Sequence, residues 1–121
     1  MILIVSTNSA VPGDQASQTC CVPLMACLGQ DQATSLAQRF AALGDATRVW
    51  LVSFIASQPS GEACVCELVP PSGLSQGTVS HHLRLLVDAG LLTRSRRGRW
   101  SFYGIAPGAE SLAAALVEHA H

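Results

Sequence analysis

The sequence predicts a mainly α-helical domain with one β-hairpin, arranged as a winged helix-turn-helix that pairs into a homodimer. Three observations predict this fold: apolar residues recur at helical spacing in five segments, a tight glycine turn joins two of these segments, and an arginine-rich hairpin pattern follows them. The 121 residues suit one domain, and a composition of 49% apolar and 12% charged residues excludes the pattern typical of disorder.

Residues 1–30 show no sustained periodicity, so we expect a flexible arm ahead of one folded domain over residues 31–121, whose DNA-binding and dimerising elements are identified below. The arm begins with five apolar residues that no basic residue precedes, a run too short for a membrane span or a secretory signal. The sequence therefore predicts a cytoplasmic protein without a membrane partner.

Two helices are predicted at the start of the domain. Over residues 31–43, Leu36, Phe40 and Leu43 have helical spacing. A second helix is predicted over residues 45–57, with Asp45 as its N-cap. This helix is apolar on most sides and is therefore expected to be buried.

The next two helices form the predicted helix-turn-helix. Residues 63–69 can make only a short helix, because the two prolines that follow lack the N–H that a helix interior needs. A turn containing Gly73 leads to Ser75, a good N-cap for a helix that runs to Ala89. Two short helices joined by such a turn are typical of a helix-turn-helix.

The remaining residues predict a hairpin and a last helix. Residues 91–96 and 99–105 read as two strands around Arg97 and Gly98, which gives the hairpin a basic tip. Pro107 then opens a helix with one apolar side. The first and last helices expose apolar stripes that a second copy of the chain would cover.

The basic residues are concentrated in one stretch of a chain whose net charge is −1. Residues 75–103 hold five of the seven basic residues, all of them arginine, against a single aspartate. Such a patch suits an anionic partner, since arginine can donate two parallel hydrogen bonds to a phosphate or a guanine. A solvated charged face is the alternative, but the position directly after a helix-turn-helix favours double-stranded DNA as the partner.

The second helix of a helix-turn-helix presents its N-terminal residues to base edges in the major groove. Glutamine can bond adenine at two points, whereas serine and histidine can reach a base or a phosphate. The candidate DNA-binding residues are Ser75, Gln76, Gly77, Thr78, Ser80, His81, Arg84, Arg96, Arg97 and Arg99. For His82, about 100° further round the helix, an internal hydrogen bond and a DNA contact stay equally open.

Five cysteines form the second informative pattern, falling as Cys20, Cys21 and Cys27 in the arm and as Cys64 and Cys66 beyond it. In a chain without an export signal we expect reduced thiols, which indicate ligands before disulfides. Thiolates select thiophilic ions such as As(III), Sb(III), Cd(II), Pb(II) and Zn(II).

Five motifs carry a family resemblance. They are Ala42-Leu-Gly-Asp-Ala-Thr-Arg48, Ala63-Cys-Val-Cys-Glu-Leu68, Leu74-Ser-Gln-Gly-Thr-Val-Ser-His-His-Leu83, Ala89-Gly-Leu-Leu92 and Arg97-Gly-Arg-Trp-Ser-Phe-Tyr103. Together they resemble the ArsR/SmtB family of metal-sensing repressors, over roughly residues 33–118. The resemblance implies a homodimeric repressor that leaves its operator DNA when an inducer binds, with no organic cofactor and no enzymatic activity.

The resemblance also bears on the inducer site. Cys64-Val-Cys66 matches the motif of the arsenic and cadmium/lead sensors, but Val69 stands where arsenic sensors with all ligands in one helix have another cysteine. As in sensors that use N-terminal cysteines, Cys20 and Cys21 would reach the opposite subunit and complete the site. Adjacent thiols favour three-coordinate As(III) or Sb(III) over Cd(II), Pb(II) or Zn(II), whose tetrahedral sites use wider spacings.

The ligand set leaves two alternatives open. Residues two apart on a helix point about 200° apart, so Cys64 and Cys66 can share an ion only if the helix start unwinds; otherwise one of them binds. Cys27 could complete a local site with the other arm cysteines, or it could pack as a small apolar side chain.

Three other interpretations can be weighed from the residues. A thiol redox or persulfide switch would use two of the same cysteines. An enzyme would need a nucleophile with a base, and no signature links the Cys, His and Glu residues in this way. The family's metal site on the last helix begins with an Asp-x-His pattern, which is not reproduced by Glu110, Glu118, His119 and His121.

Overall fold

The computed structural model describes residues 27–119, and a compact unit begins at Thr34. The elements in chain order are α1 Gln30–Ala42, α2 Ala46–Ser57, β1 Glu62–Cys64, α3 Val65–Ser72, α4 Gln76–Asp88, β2 Leu92–Arg97, β3 Trp100–Ile105 and α5 Glu110–Glu118. The three strands form one antiparallel sheet with β3 in the middle, between β1 and β2. The predicted winged helix-turn-helix is confirmed: α3 and α4 form the helix-turn-helix, and β2 and β3 form the wing.

The predicted caps are confirmed. Asp45 caps α2 and Ser75 caps α4, each through a side-chain oxygen that accepts a backbone N–H three residues on, at 3.2 and 3.1 Å. The last helix starts later than the sequence predicts, at Glu110, because a turn follows Pro107 before the helix begins.

The segment ahead of the helix-turn-helix differs from the prediction. Residues Glu62–Cys64 form a strand against β3, so the helix expected over 63–69 begins at Val65. The two prolines do not stop α3, which continues to Ser72 and ends at Gly73 with a φ of 72°. The carbonyl groups that lose an N–H partner to the prolines belong to exposed residues, where water can bond them.

The hairpin is confirmed with its turn displaced by one residue. Arg97 pairs with Trp100 as the last rung of the ladder, so Gly98 and Arg99 form the turn instead of Arg97 and Gly98. Gly98 has a φ of 65°, a conformation that two-residue hairpin turns need and that glycine adopts without strain. Arg99 is therefore the arginine at the tip.

The core lies among α2, α3, α4 and the sheet. Its largest fully buried side chains are Leu51, Val52, Ile55, Leu68, Val79, Leu83, Leu86, Leu91 and Leu92. Burying this apolar surface is the main stabilising contribution to the fold. The predicted inward face of α4 is confirmed at Val79, Leu83 and Leu86, while Val87 packs against the core from a partly buried position.

The first and last helices are less covered than α2 and α4. No residue of α1 is buried, and Phe40 is 56% exposed. Of the residues in α5 only Ala113 is buried, and Ala120, which the sequence placed on the same apolar side, lies outside the described residues. No single helix between residues 27 and 119 has the length and apolar character of a membrane span. Helices α1 and α2 have that length and character only when taken together, and the pair is bent by 100°.

Candidate DNA interface and thiol site

The recognition helix α4 presents polar side chains on the side that faces away from the core. Gln76, Gly77, His81 and Arg84 are exposed, and Ser80 is half-buried. They occupy this side because the apolar residues between them are packed in the core. The side chains that the sequence selected for base contacts are therefore accessible in this protomer.

Ser75 and Thr78 use their hydroxyl groups within the helix cap. The Ser75 hydroxyl accepts the N–H of Thr78 at 3.1 Å and donates to the Thr78 hydroxyl at 2.9 Å. These bonds fix the first turn of α4. Both residues stay exposed, so their contact with DNA remains a prediction.

A groove of about 830 Å³ is lined by the recognition helix, the wing and the start of α3. We call it the recognition groove. The sequence-predicted residues that line it are Cys64, Cys66, Gln76, Gly77, Ser80, His81, Arg84 and Arg99. Of the other DNA candidates, Ser75, Thr78, Arg96 and Arg97 are not among its lining residues. The fold thus brings the thiol pair and most of the DNA candidates to one concave surface.

Among the groove-lining residues that were not selected from the sequence, Arg94 and Trp100 are the two suited to contact DNA. Arg94 lines it and donates through Nε and Nη2 to the hydroxyl of Ser101, at 3.4 and 3.3 Å. Trp100 lines it beside the hairpin turn and is 51% exposed. An aromatic residue next to a basic turn was the signal for Trp100, and the arginine run itself was the signal for Arg94.

Arg97 is held in an ion pair, which the sequence did not predict. Its Nη2 donates to both carboxylate oxygens of Glu62, at 2.7 and 3.0 Å. Its guanidinium carbon also lies 4.5 Å from the centre of the Phe102 ring, within the range of a cation–π interaction. Arg97 is thus the last residue of β2, directed back toward β1, and not the tip arginine that the sequence suggested.

Cys64 is the N-cap of α3 and is buried, with 2% of its surface exposed. Its sulfur accepts the N–H of Cys66 at 3.2 Å, and its own N–H donates to Glu67 Oε1 at 2.7 Å. This reciprocal pair is a capping box in which a thiol replaces the usual hydroxyl. The Cys-x-x-Glu spacing was the sequence signal for it.

Cys64 is the cap of α3 and not one of its helical residues, and its side chain hydrogen-bonds with Cys66, so the separation of about 200° assigned from the sequence does not apply to this pair. The 200° argument assumed that both residues are helical, whereas Cys64 has the extended backbone of a cap, with φ −83° and ψ 150°. A hydrogen bond with the Cys64 side chain raises the pKa of the Cys66 thiol. Cys66 is exposed, so the pair combines one buried and one accessible sulfur.

The remaining cysteines do not complete this site within the described chain. Cys20 and Cys21 lie outside the described residues, and Cys27 is exposed. Between residues 27 and 119, no group of three or more His, Cys, Asp or Glu side chains is arranged to hold a metal ion. Within these residues the thiol pair by itself thus offers two sulfurs.

His82 has an internal partner. Its Nδ1 lies 3.1 Å from Nη1 of Arg48, which can only donate, and Arg48 Nε also donates to the Ala42 carbonyl at 2.6 Å. Arg48 thus connects the end of α1 to the half-buried side of the recognition helix. Of the two roles left open for His82, this geometry favours the internal hydrogen bond.

Comparison with known proteins agrees with this geometry. The profile of the family described as bacterial regulatory protein, arsR family, matches residues 45–94, from the cap of α2 into the wing. The arsenical resistance operon repressor of Escherichia coli is 36% identical over 83 residues, which are 69% of each protein. The chain belongs to the ArsR family. It is therefore a DNA-binding regulator of transcription, in a family of regulators and not of enzymes.

Solved structures of ArsR-family and related repressors share the fold. The homodimeric winged helix-turn-helix domain of a Mycobacterium bovis protein aligns with a TM-score of 0.61 and 26% identity, covering 78% of this chain and 88% of that one. The AntR antimony-specific transcriptional repressor aligns with a TM-score of 0.59 and 28% identity, covering 76% and 85%.

Proposed function

We propose that this ArsR-family protein represses transcription as a homodimer on operator DNA and leaves the operator when As(III) or Sb(III) binds its cysteine thiolates. One observation carries the proposal: Cys64 and Cys66 line the same groove as Gln76 and Arg99. A ligand on these sulfurs would lie next to the side chains that face DNA. The antimony-specific and arsenical-resistance repressors to which the chain is similar support this class of inducer.

The proposed ligands of three-coordinate As(III) are Cys20 and Cys21 of one subunit with Cys64 or Cys66 of the other. The described chain brings Cys64 and Cys66 to one groove but arranges no third His, Cys, Asp or Glu side chain with them to hold an ion, so the arm has to supply the remaining ligands. Cys27 is kept as a second source of the third ligand.

The position of Cys64 gives a route from inducer to DNA. Cys64 begins α3, and only residues 73–75 separate α3 from the recognition helix. Cys64 also pairs with Phe102 in the sheet, next to the wing turn. A rearrangement around Cys64 can therefore shift the recognition helix and the wing together, which lowers operator affinity if the inducer prefers the shifted state.

Proton release separates arsenite from divalent cations. Neutral As(OH)₃ condenses with three thiols to form three As–S bonds and three water molecules, with no net proton release. A divalent cation must displace the thiol protons, so its affinity falls when a pKa is raised.

We therefore predict that arsenite affinity is nearly flat between about pH 6 and pH 8, while Cd(II) affinity rises steeply over this range. Proton release measured in weak buffer on adding each ion to the reduced protein tests this. Proton release with arsenite equal to that with Cd(II) would contradict it.

The alternatives of the same fold are a Cd(II), Pb(II) or Zn(II) sensor and a thiol redox or persulfide sensor. Titrating the reduced operator complex with arsenite, antimonite, the three divalent cations, peroxide and polysulfide discriminates them. If a divalent cation or an oxidant releases the protein from the operator at a lower concentration than arsenite and antimonite do, that species takes the place of the proposed inducer.

Gln76→Ala is expected to weaken binding to the operator by about 1–3 kcal/mol, because an amide that bonds two atoms of one base is lost. Binding to random DNA should hardly change, since phosphates supply that affinity. Fluorescence anisotropy with both DNAs measures the difference, and Gln38→Ala, at an exposed position on α1, is the matched control. An equal loss on both DNAs would remove Gln76 from the base-reading residues.

A further inference from the structure

An ion pair joins Glu62 to Arg97, the residue directly before the turn of the wing. It is the one salt bridge among the described residues, and it joins the edge strand β1 to the end of β2 across β3. Glu62 pairs in the sheet with Gly104, whose missing side chain leaves space beside the glutamate. The carboxylate extends from there to Arg97, which is stacked on Phe102.

This arrangement offsets the charge of Arg97. At distances longer than the ion pair itself, the carboxylate and the guanidinium sum to zero, so the pair attracts a phosphate much less than a free arginine does. The Arg97 side chain is nevertheless 55% exposed and the Glu62 side chain 28% exposed. Exposed ion pairs contribute little to stability, so a phosphate can compete for this arginine.

We propose that Glu62 limits the affinity of the wing for DNA by holding Arg97 in an ion pair that a backbone phosphate must replace. The inference rests on the proposed DNA-binding function and adds a residue that sets its strength. Glu62 is a positioning residue here, because it acts on DNA through Arg97. Its effect is expected on operator and random DNA alike, since phosphates carry no sequence information.

The test is a double-mutant cycle with Glu62→Gln and Arg97→Gln, using the full chain and measuring affinity for operator and random DNA against salt. Glu62→Gln should bind both DNAs about threefold tighter at low salt, and this gain should shrink as added salt screens the ion pair that the phosphate has to replace. When Arg97 is already replaced by glutamine, Glu62→Gln should raise the affinity for DNA no more than Asp88→Asn does. Asp88 is the control for general repulsion because it is exposed on α4, lines the recognition groove and lies outside the salt bridge.

Each outcome decides the proposal. If Glu62→Gln helps equally with and without Arg97, the carboxylate acts only by general repulsion and the proposal is wrong. If Glu62→Gln weakens binding, the ion pair orients Arg97 toward DNA and does not restrain it, which also overturns the proposal. Failure of the unsubstituted protein to bind the operator would instead overturn the proposed function. Circular dichroism and thermal unfolding check that each variant is folded.

Discussion

Cys66→Ser is expected to abolish release from the operator by arsenite while operator binding in the absence of arsenite stays intact. The side chain is exposed at the first turn of α3, so the substitution removes a ligand without opening the core. The arsenite concentration needed for half release should rise more than about 100-fold, because even the residues behind metal ligands contribute 10–100-fold to affinity. Anisotropy of a labelled operator during arsenite titration measures this.

Cys64→Ser provides the matched variant within the capping box. A serine hydroxyl is a preferred N-cap and can accept the same N–H of Cys66, so α3 should keep its start. Cys64→Ala removes the cap as well and should cost about 0.5–2 kcal/mol of stability. Loss of induction in Cys64→Ser at unchanged thermal stability would assign the sulfur to the ion and not to the fold.

The arm cysteines complete this series. Cys20→Ser or Cys21→Ser should also abolish induction, and Cys27→Ser should change it little. The opposite pattern, in which Cys27→Ser destroys induction and the Cys64→Ser, Cys66→Ser double change leaves it untouched, would place the site wholly within the arm.

Phe40→Glu is expected to convert the protein to a monomer with more than about 100-fold weaker operator affinity. Phe40 is the most exposed large apolar side chain of α1, a helix that buries no residue in its own protomer. A charge there costs the protomer little, but in a dimer interface it would be buried without a partner. Separating the two subunits removes the avidity of the paired recognition helices, which raises affinity by a factor of about 10²–10⁴.

Sedimentation and operator binding should be measured together for this variant. Gln38→Glu is the matched control, because it adds the same charge to an exposed position about half a turn away on the same helix. A Phe40→Glu protein that sediments as a dimer and binds the operator normally would show that α1 is not part of the proposed interface.

Much of the fold could be predicted because its signals are local. Asp45 and Ser75 cap their helices through atoms three residues away, and the apolar face of α4 follows from helical spacing alone. The hairpin turn was misplaced by one residue because both Arg97-Gly98 and Gly98-Arg99 satisfy a two-residue turn. The strand register, which depends on pairing with the partner strand, chose between them.

The candidate site was predicted in composition but not in arrangement. The sequence singled out Cys64 and Cys66 and the polar side of the recognition helix, and the two cysteines and most of that polar side line one groove. It placed Cys64 inside a helix, since periodicity cannot distinguish a helix start from a short strand that ends in a cap. Pairing of Glu62–Cys64 with β3 made that distinction.

By itself the sequence determined the helices of the helix-turn-helix, the basic wing and the family to which the chain belongs. Only the tertiary structure decided that Cys64 is a capping residue next to Cys66, and that Glu62 binds Arg97. The physical reason is the distance along the chain over which each feature is set. Caps and amphipathic faces arise from residues three or four apart, whereas the ion pair joins residues 35 apart that the sheet brings together.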